Sequence, residues 1–421
     1  EMVLEFLRDV LSQPALLIGI MSCIGLIALK RPFHKIMTGT LKPILGYLML
    51  AAGAGVIVSN LDPLGKMIEH GFHITGVVPN NEAIVAVAQK VLGVETMSIL
   101  VVGLLMNLCI ARFTKFKYVF LTGHHSLFMA CLMSAVLGTA GLSGMELILV
   151  GGFLMGAWSA ISPAIGQSYT SKVTDGDEIA IGHFGSLGYY LSAWVAKYVG
   201  KAEDSTEDIE IPEKWGFLRD STLSTALTMI VFYLIAAFAA GSEFVATLSG
   251  DMSPYLYAVI SAMNFAVGVT IVYSGVRMIL GDLIPAFQGI ATKIIPNAIP
   301  AVDCAVFFTY APTAVVLGFL SSFIGGIIGM LILGAVGGVL IIPGLVPHFF
   351  CGATAGIYGN ATGGRRGAAV GAFLNGLAIT FLPALALPVL GQLGFQNTTF
   401  GDADFAVMGL VLGNAYEWVG M

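Results

Sequence analysis

Between Ile294 and Gly364 the chain carries no Lys, Arg or Glu, and its single acid stands in Ala298-Ile-Pro-Ala-Val-Asp303-Cys-Ala-Val-Phe-Phe308. Apolar runs on the scale of a bilayer crossing follow it. A carboxylate at bilayer depth costs about 2.5–3.5 kcal/mol on insertion scales, so it persists where it faces a cavity, a partner or a substrate. Pro296 and Pro300 precede it and interrupt helical backbone. A broken apolar segment with one acid is how a membrane transporter builds a polar site in lipid. The plainer alternative places Asp303 at a membrane edge or on a helix cap.

The rest of the chain is of the same class. Of its 421 residues 57% are hydrophobic and 10% charged, where soluble domains carry about 25% charged residues. The expected fold is an all-α polytopic membrane protein with about ten or eleven transmembrane helices and some re-entrant or broken segments. The apolar runs are 14–29, 39–59, 96–110, 121–142, 147–165, 222–239, 255–280, 306–317, 323–342, 368–390 and 405–421. The 53 glycines suit close helix packing. The net charge of −6 is confined to loops, and no basic cluster offers a nucleic-acid surface. Five cysteines, at 23, 109, 131, 304 and 351, form no C-x-x-C pair and read as small packing residues. No removable signal peptide is evident; Glu1 to Gln13 reads as an amphipathic helix leading into the first span.

Lys and Arg concentrate after the first, third and fifth runs, which places the amino terminus outside and the long polar stretch Thr170–Arg219 in the cytoplasm. A faint internal likeness joins Gly39–Gly53 to Gly275–Gly289, and Thr174–Gly182 to Thr362–Gly371. It suggests two inverted membrane repeats, 1–219 (with the cytoplasmic loop 170–219) and 220–404, and a final helix 405–421. A core domain and a scaffold or dimerisation domain would each draw on both repeats, with the binding site between them.

Polar residues near apolar sequence are few. His34, His70 and His73 sit in loop-like sequence. His124 and His125 follow Leu-Thr-Gly, His183 follows Ala-Ile-Gly, and His348 follows Val-Pro. Each of His124, His183 and Asp303 follows a Gly or Pro disruption at the edge of an apolar run. Imidazole and carboxylate together donate and accept, which suits the hydroxyls of a sugar-like ligand. A metal site and a proton relay through Asp303 are competing uses of the same residues, although no H-E-x-x-H spacing occurs. G-x-x-x-x-G-K-[ST] and a nucleophile elbow are absent, so nothing points to an enzyme or to a cofactor.

These same residues carry a resemblance. Leu121-Thr-Gly-His124, Thr174-Asp-Gly with Ile181-Gly-His183, Ala301-Val-Asp-Cys-Ala305, Ile341-Ile-Pro-Gly-Leu-Val-Pro-His-Phe-Phe350 and Gly39-Thr-Leu-Lys-Pro-Ile-Leu-Gly46 resemble the IIC membrane component of the ascorbate-type phosphoenolpyruvate-dependent phosphotransferase system. The likeness runs from about Pro14 to Phe405. It implies a homodimeric, multi-pass permease of the bacterial inner membrane, embedded in lipid, that carries L-ascorbate by movement of its core domain. Soluble IIB and IIA proteins would supply the phosphoryl group. The family's ascorbate-contacting His, His and Asp fall on His124, His183 and Asp303, with His125 beside them. Its Thr-Tyr pair falls on Asn81 and Glu82, and two Gln positions fall on Phe128 and Phe184. Those four are departures. Replacing Gln by Phe removes an amide donor and acceptor and adds a ring face, which leaves a galactitol- or pentose-type substrate, or proton-coupled transport through Asp303, as alternatives.

Overall fold

In lipid every backbone N–H and C=O has to be bonded within the protein, so apolar runs of this kind close into helices. The computed structural model describes residues 1–79, 81–392 and 399–419. The first half holds α1 (Met2–Leu11), α2 (Pro14–Ala28), α3 (Phe33–Gly71), α4 (Asn81–Phe113), β1 (Tyr118–Phe120), α5 (Gly123–Thr139), α6 (Gly144–Ile165), α7 (Gln167–Thr174), β2 (Ala180–Ile181) and α8 (Ser186–Val199). The second holds α9 (Ser221–Ala240), α10 (Ser242–Ser249), α11 (Pro254–Lys293), β3 (Ile299–Val302), α12 (Pro312–Ala335), α13 (Leu345–Gln392) and α14 (Ala403–Val419).

The architecture is all-α and polytopic. Among the described residues seven helices are long and apolar enough to cross a membrane, or eight if α1 and α2, bent by 83°, form one span. Several of the apolar runs fall on shorter or shared helices. α5 has only 17 residues and starts directly after a buried strand. The runs 306–317 and 323–342 meet in the single helix α12, the first beginning in a 3-10 turn at Cys304–Tyr310. The run 368–390 belongs to α13, which breaks at Gly364, where φ is 65°. The described apolar part of α14, Ala403–Ala415, is shorter than a span.

α3 and α11 have 39 and 40 residues, so each is about 60 Å long at 1.5 Å per residue. They cross antiparallel on glycines. Gly46 meets Gly275 and Gly53 meets Gly268, and a Cβ at Gly46 would lie 2.7 Å from Met278 Cβ. Absent side chains are what let the two backbones come this close. The look-alike segments Gly39–Gly53 and Gly275–Gly289 lie on these two helices and touch at the Gly46–Gly275 crossing. Gly71 packs on Ala239 and Ala240, so α9 runs beside α3 in the same direction. One end of the molecule therefore collects Lys30, Arg31 and Lys35 before and within the first turn of α3, Lys293 at the end of α11, and the segment leading into α9. The opposite end carries Asp62, Lys66 and Glu69 of α3.

Two features depart from the sequence reading. Thr170–Arg219 is not an open loop, since it contains α7, β2 and α8, with Tyr189, Tyr190, Ala193 and Ala196 buried. Its acids lie at 175–178 and 203–213, and the apolar sequence between them folds inward. The second feature is a three-stranded parallel sheet, ordered β1-β3-β2, with Phe120 paired to Ala301 and Ile181 to Val302. The β1 edge of this sheet is satisfied by a side-chain amide, and a second amide meets the residue before β2. Asn107 of α4 donates to Tyr118 O (2.9 Å) and accepts from Phe120 N (2.9 Å). Gln167 of α7 donates to Ile179 O (3.2 Å). A carboxamide here plays the part of a missing neighbour strand, which an exposed sheet edge in lipid requires.

Candidate functional site

The three strands run parallel, so their carboxyl ends lie side by side. β1 leads through Leu121 and Thr122 to Gly123, His124 and His125; β2 leads to Gly182 and His183; β3 leads to Asp303. The ladder continues to these ends, with Leu121 N donating to Ala301 O (2.9 Å) and Gly182 N to Val302 O (2.8 Å). A Cβ at Gly182 would collide with Ala301 O, and one at Gly123 with Leu11 O. Gly182 thus lets the end of β2 close on β3, and Gly123 lets the end of α1 close on the start of α5.

Asp303 is 8% exposed. Its Oδ2 accepts from the Tyr47 hydroxyl (2.8 Å) and lies 3.9 Å from His124 Nε2. Its Oδ1 accepts from Ala305 N (3.4 Å), so the same carboxylate also caps the 3-10 turn. The two inner histidines are held by backbone donors. Phe184 N donates to His125 Nδ1 (3.2 Å), and Gly185 N to His183 Nδ1 (3.3 Å). A ring nitrogen that accepts a backbone N–H carries no proton, so a neutral His125 keeps its proton on Nε2. Tyr189 Oη lies 2.7 Å from His183 Nδ1. The His125 and His183 rings pack with centroids 3.9 Å apart.

A second acid completes the cluster. Asp402, 5% exposed, has Oδ2 3.6 Å from His125 Nε2, and its Oδ1 accepts from Cys351 Sγ (3.1 Å). Its turn is fixed from two sides. Gly401 N donates to Asn81 Oδ1 (2.9 Å), and Asp404 N to Phe184 O (3.0 Å). Asp404 in turn sits at the amino end of α8, accepting from Ser186 Oγ (2.7 Å) and Leu187 N (2.9 Å). A carboxylate is stabilised there by the unpaired amides of the first turn.

His125, His183 and Asp402 lie close enough to invite a metal, as do His183, Asp303 and Cys304. At His125 the backbone N–H on Nδ1 holds the proton on Nε2, which disfavours that ring as a ligand, because a metal takes the lone pair of a ring nitrogen. His125 presents an N–H donor beside the Asp402 carboxylate, which accepts.

This cluster floors a cavity of about 800 Å³. The cavity follows α3 from Tyr47 to Glu69, about 33 Å at the helical rise. Its outer part is lined by Asp62, Lys66 and Glu69, so it opens at the end away from the basic loops.

Comparison with known proteins decides the family. Residues 9–404 match the family model described as PTS system sugar-specific permease component, EIIC-GAT. The chain belongs to the EIIC-GAT family. It is also 28% identical over 417 residues to an ascorbate-specific PTS system EIIC component of Mycoplasma pneumoniae, an alignment covering 85% of this chain and 62% of that relative. The chain thus spans less than two thirds of the length of the curated relative it matches.

In this EIIC-GAT member the cavity brings together His124, His125, Phe128, His183, Asp303 and Asn81. The side chain of Glu82 lies outside the described residues. Phe184 is not among the cavity-lining residues; it is fully buried behind His125, its ring stacked on Phe120 at 4.6 Å. Asn81 borders the cavity and also holds the turn that carries Asp402. His348 turns away and pairs with Ser322 (2.8 Å), while Pro347 lines the wall. Sequence reading missed Tyr47, Asp402, Cys304 and Cys351. Cys351 packs in the core and also donates to Asp402. A signal for Asp402 was available in Gly401-Asp-Ala-Asp404, two acids between apolar runs.

Proposed function

We propose that the chain is the sugar-translocating IIC subunit of a phosphotransferase system, carrying L-ascorbate or a closely related sugar or polyol for phosphorylation by a cytoplasmic IIB protein that IIA recharges. The observation that carries this reading is the meeting of three strand ends, with His124, His183 and Asp303, at the floor of one cavity. Imidazole N–H groups donate to ring or carbonyl oxygens, and the Asp303 and Asp402 carboxylates accept from hydroxyls. The Phe128 ring offers an apolar face to the ligand. The named substrate of the Mycoplasma pneumoniae relative supports ascorbate over galactitol or a pentose. The subunit works as a homodimer in the bacterial inner membrane, with the basic loops in the cytoplasm.

On this orientation the cavity is open to the outside, and the β1-β3-β2 sheet lies between the ligand and the cytoplasm. Alternating access then requires the group carrying the strand ends to move as a body against α3, because the three strands are hydrogen-bonded into one sheet. Uptake into proteoliposomes tests the coupling. We expect ascorbate to accumulate as its phosphate only when phosphoenolpyruvate and the IIA and IIB proteins are enclosed. Accumulation driven by a pH gradient with no partner would replace this reading with proton-coupled transport through Asp303.

A further inference from the structure

A second cavity, of about 650 Å³, lies at the basic end of the molecule, where the end of α8 meets the break in α13. Gly200 and Gly363 touch there, and Gly364 sits against Lys201 O and Asp204 O. This crossing directs Lys201, Arg365 and Arg366 into one concave site, with Asp204 as its acid. All three cations are exposed, and among the described residues none forms an ion pair with a carboxylate. Arg365 spends only its Nε, on Asp204 O (3.3 Å). The guanidinium edges and the ammonium are left for a ligand, which by charge is an anion with several acceptor oxygens.

The surroundings decide which anion. Arg365 and Arg366 start the second, apolar half of α13, and Val370, one turn on, is exposed. On α8 the Trp194 and Tyr198 rings stand 5.8 Å apart, 48% and 71% exposed, with Lys197 over the Tyr198 ring. Exposed Trp and Tyr beside the first turn of a membrane-crossing helix mark the level of the headgroups. Cations concentrate at the same end of the molecule.

We infer that this cavity binds the phosphate of an anionic phospholipid headgroup in the cytoplasmic leaflet, with Lys201, Arg365 and Arg366 on the phosphate and the Trp194–Tyr198 pair along the acyl boundary. Basic pockets between membrane helices on that side take such headgroups. The site ties the α8–α13 crossing to the bilayer surface.

The test is native mass spectrometry of the detergent-purified full chain, incubated with phosphatidylglycerol, phosphatidylcholine or inorganic phosphate. Wild type should retain phosphatidylglycerol in preference to phosphatidylcholine, and inorganic phosphate should not displace it. Arg366→Gln and Lys201→Gln should each lower retention about fivefold. Both replaced residues lie outside the sugar cavity, so unchanged sugar binding checks that the variants are folded. Equal retention of the two lipids, displacement by inorganic phosphate, or full retention by the double variant would each overturn the assignment. So would loss of IIB-dependent uptake in the double variant with lipid retention intact, which would place a protein partner on this surface.

Discussion

Asp303 is the residue on which the proposed sugar site turns, because it is the buried acceptor held by Tyr47 and beside His124. Asp303→Asn keeps the shape and removes the charge, and we expect it to abolish measurable sugar binding. Tyr47→Phe removes one charge-assisted hydrogen bond worth roughly 1.5–3 kcal/mol, so ligand affinity should fall about 10- to 150-fold with folding unaffected; an unchanged dissociation constant would mean Tyr47 does not orient the carboxylate. The two phenylalanines at the departing positions should behave differently. Phe128→Gln changes a wall of the cavity and should raise ascorbate affinity. Phe184→Gln buries an amide against Phe120 and Phe405 and should lower the unfolding temperature without a specific effect on affinity. The reverse pattern in a paired binding and melting experiment would displace Phe128 from the site. His124, His183 and Asp303 were legible because each follows a glycine or proline that breaks an apolar run. Tyr47 was not, since a lone Tyr inside an apolar helix reads as packing. Asp402 was passed over, although Gly401-Asp-Ala-Asp404 sets two acids between apolar runs.

At the scale of elements, the helices were legible and the sheet was not. Strands of three, two and four residues are too short to show a period of two, and their buried faces make them read as continuations of apolar runs. What the sequence did carry is the amide that closes the β1 edge. Asn107→Leu strips two hydrogen bonds from the β1 edge and leaves Tyr118 O and Phe120 N unpaired, at a cost of about 1–3 kcal/mol for each group. Thermal unfolding in detergent should shift down, and sugar binding should weaken with it, because β1 sets the position of His124. Full stability and affinity in this variant would show that the edge has another partner. The glycines were legible only in bulk. Which of them meet depends on the crossing of α3 and α11: Gly53→Val would put its side chain into Gly268 O and Val272 N, and should destabilise the fold where the same change at the open Gly55 should not. Similar melting of both variants would contradict the crossing.

For the whole molecule, the charge pattern of the loops and the direction of the cavity combine into one statement about sidedness. Basic residues gather at the start of α3 and the end of α11, and the cavity opens beside Asp62, Lys66 and Glu69 at the other end. In a chain with Cys23 and Cys109 changed to Ser, a cysteine at Gly65, which lines the cavity, should react with a membrane-impermeant thiol reagent added from outside, and bound sugar should slow the reaction. Reaction only from the cytoplasmic side would invert the topology. Apolar composition alone does not distinguish a long crossing helix from α5, which follows a buried strand, or from two runs that share α12.

The most direct measurement is equilibrium binding of radiolabelled L-ascorbate to the purified protein and to Asp303→Asn, with galactitol and pentoses as competitors. We expect saturable ascorbate binding to wild type, weak competition by the other sugars, and no binding to a variant that elutes and melts as wild type does. Equal affinity of the two proteins would remove Asp303, and with it the meeting of the strand ends, from the sugar site.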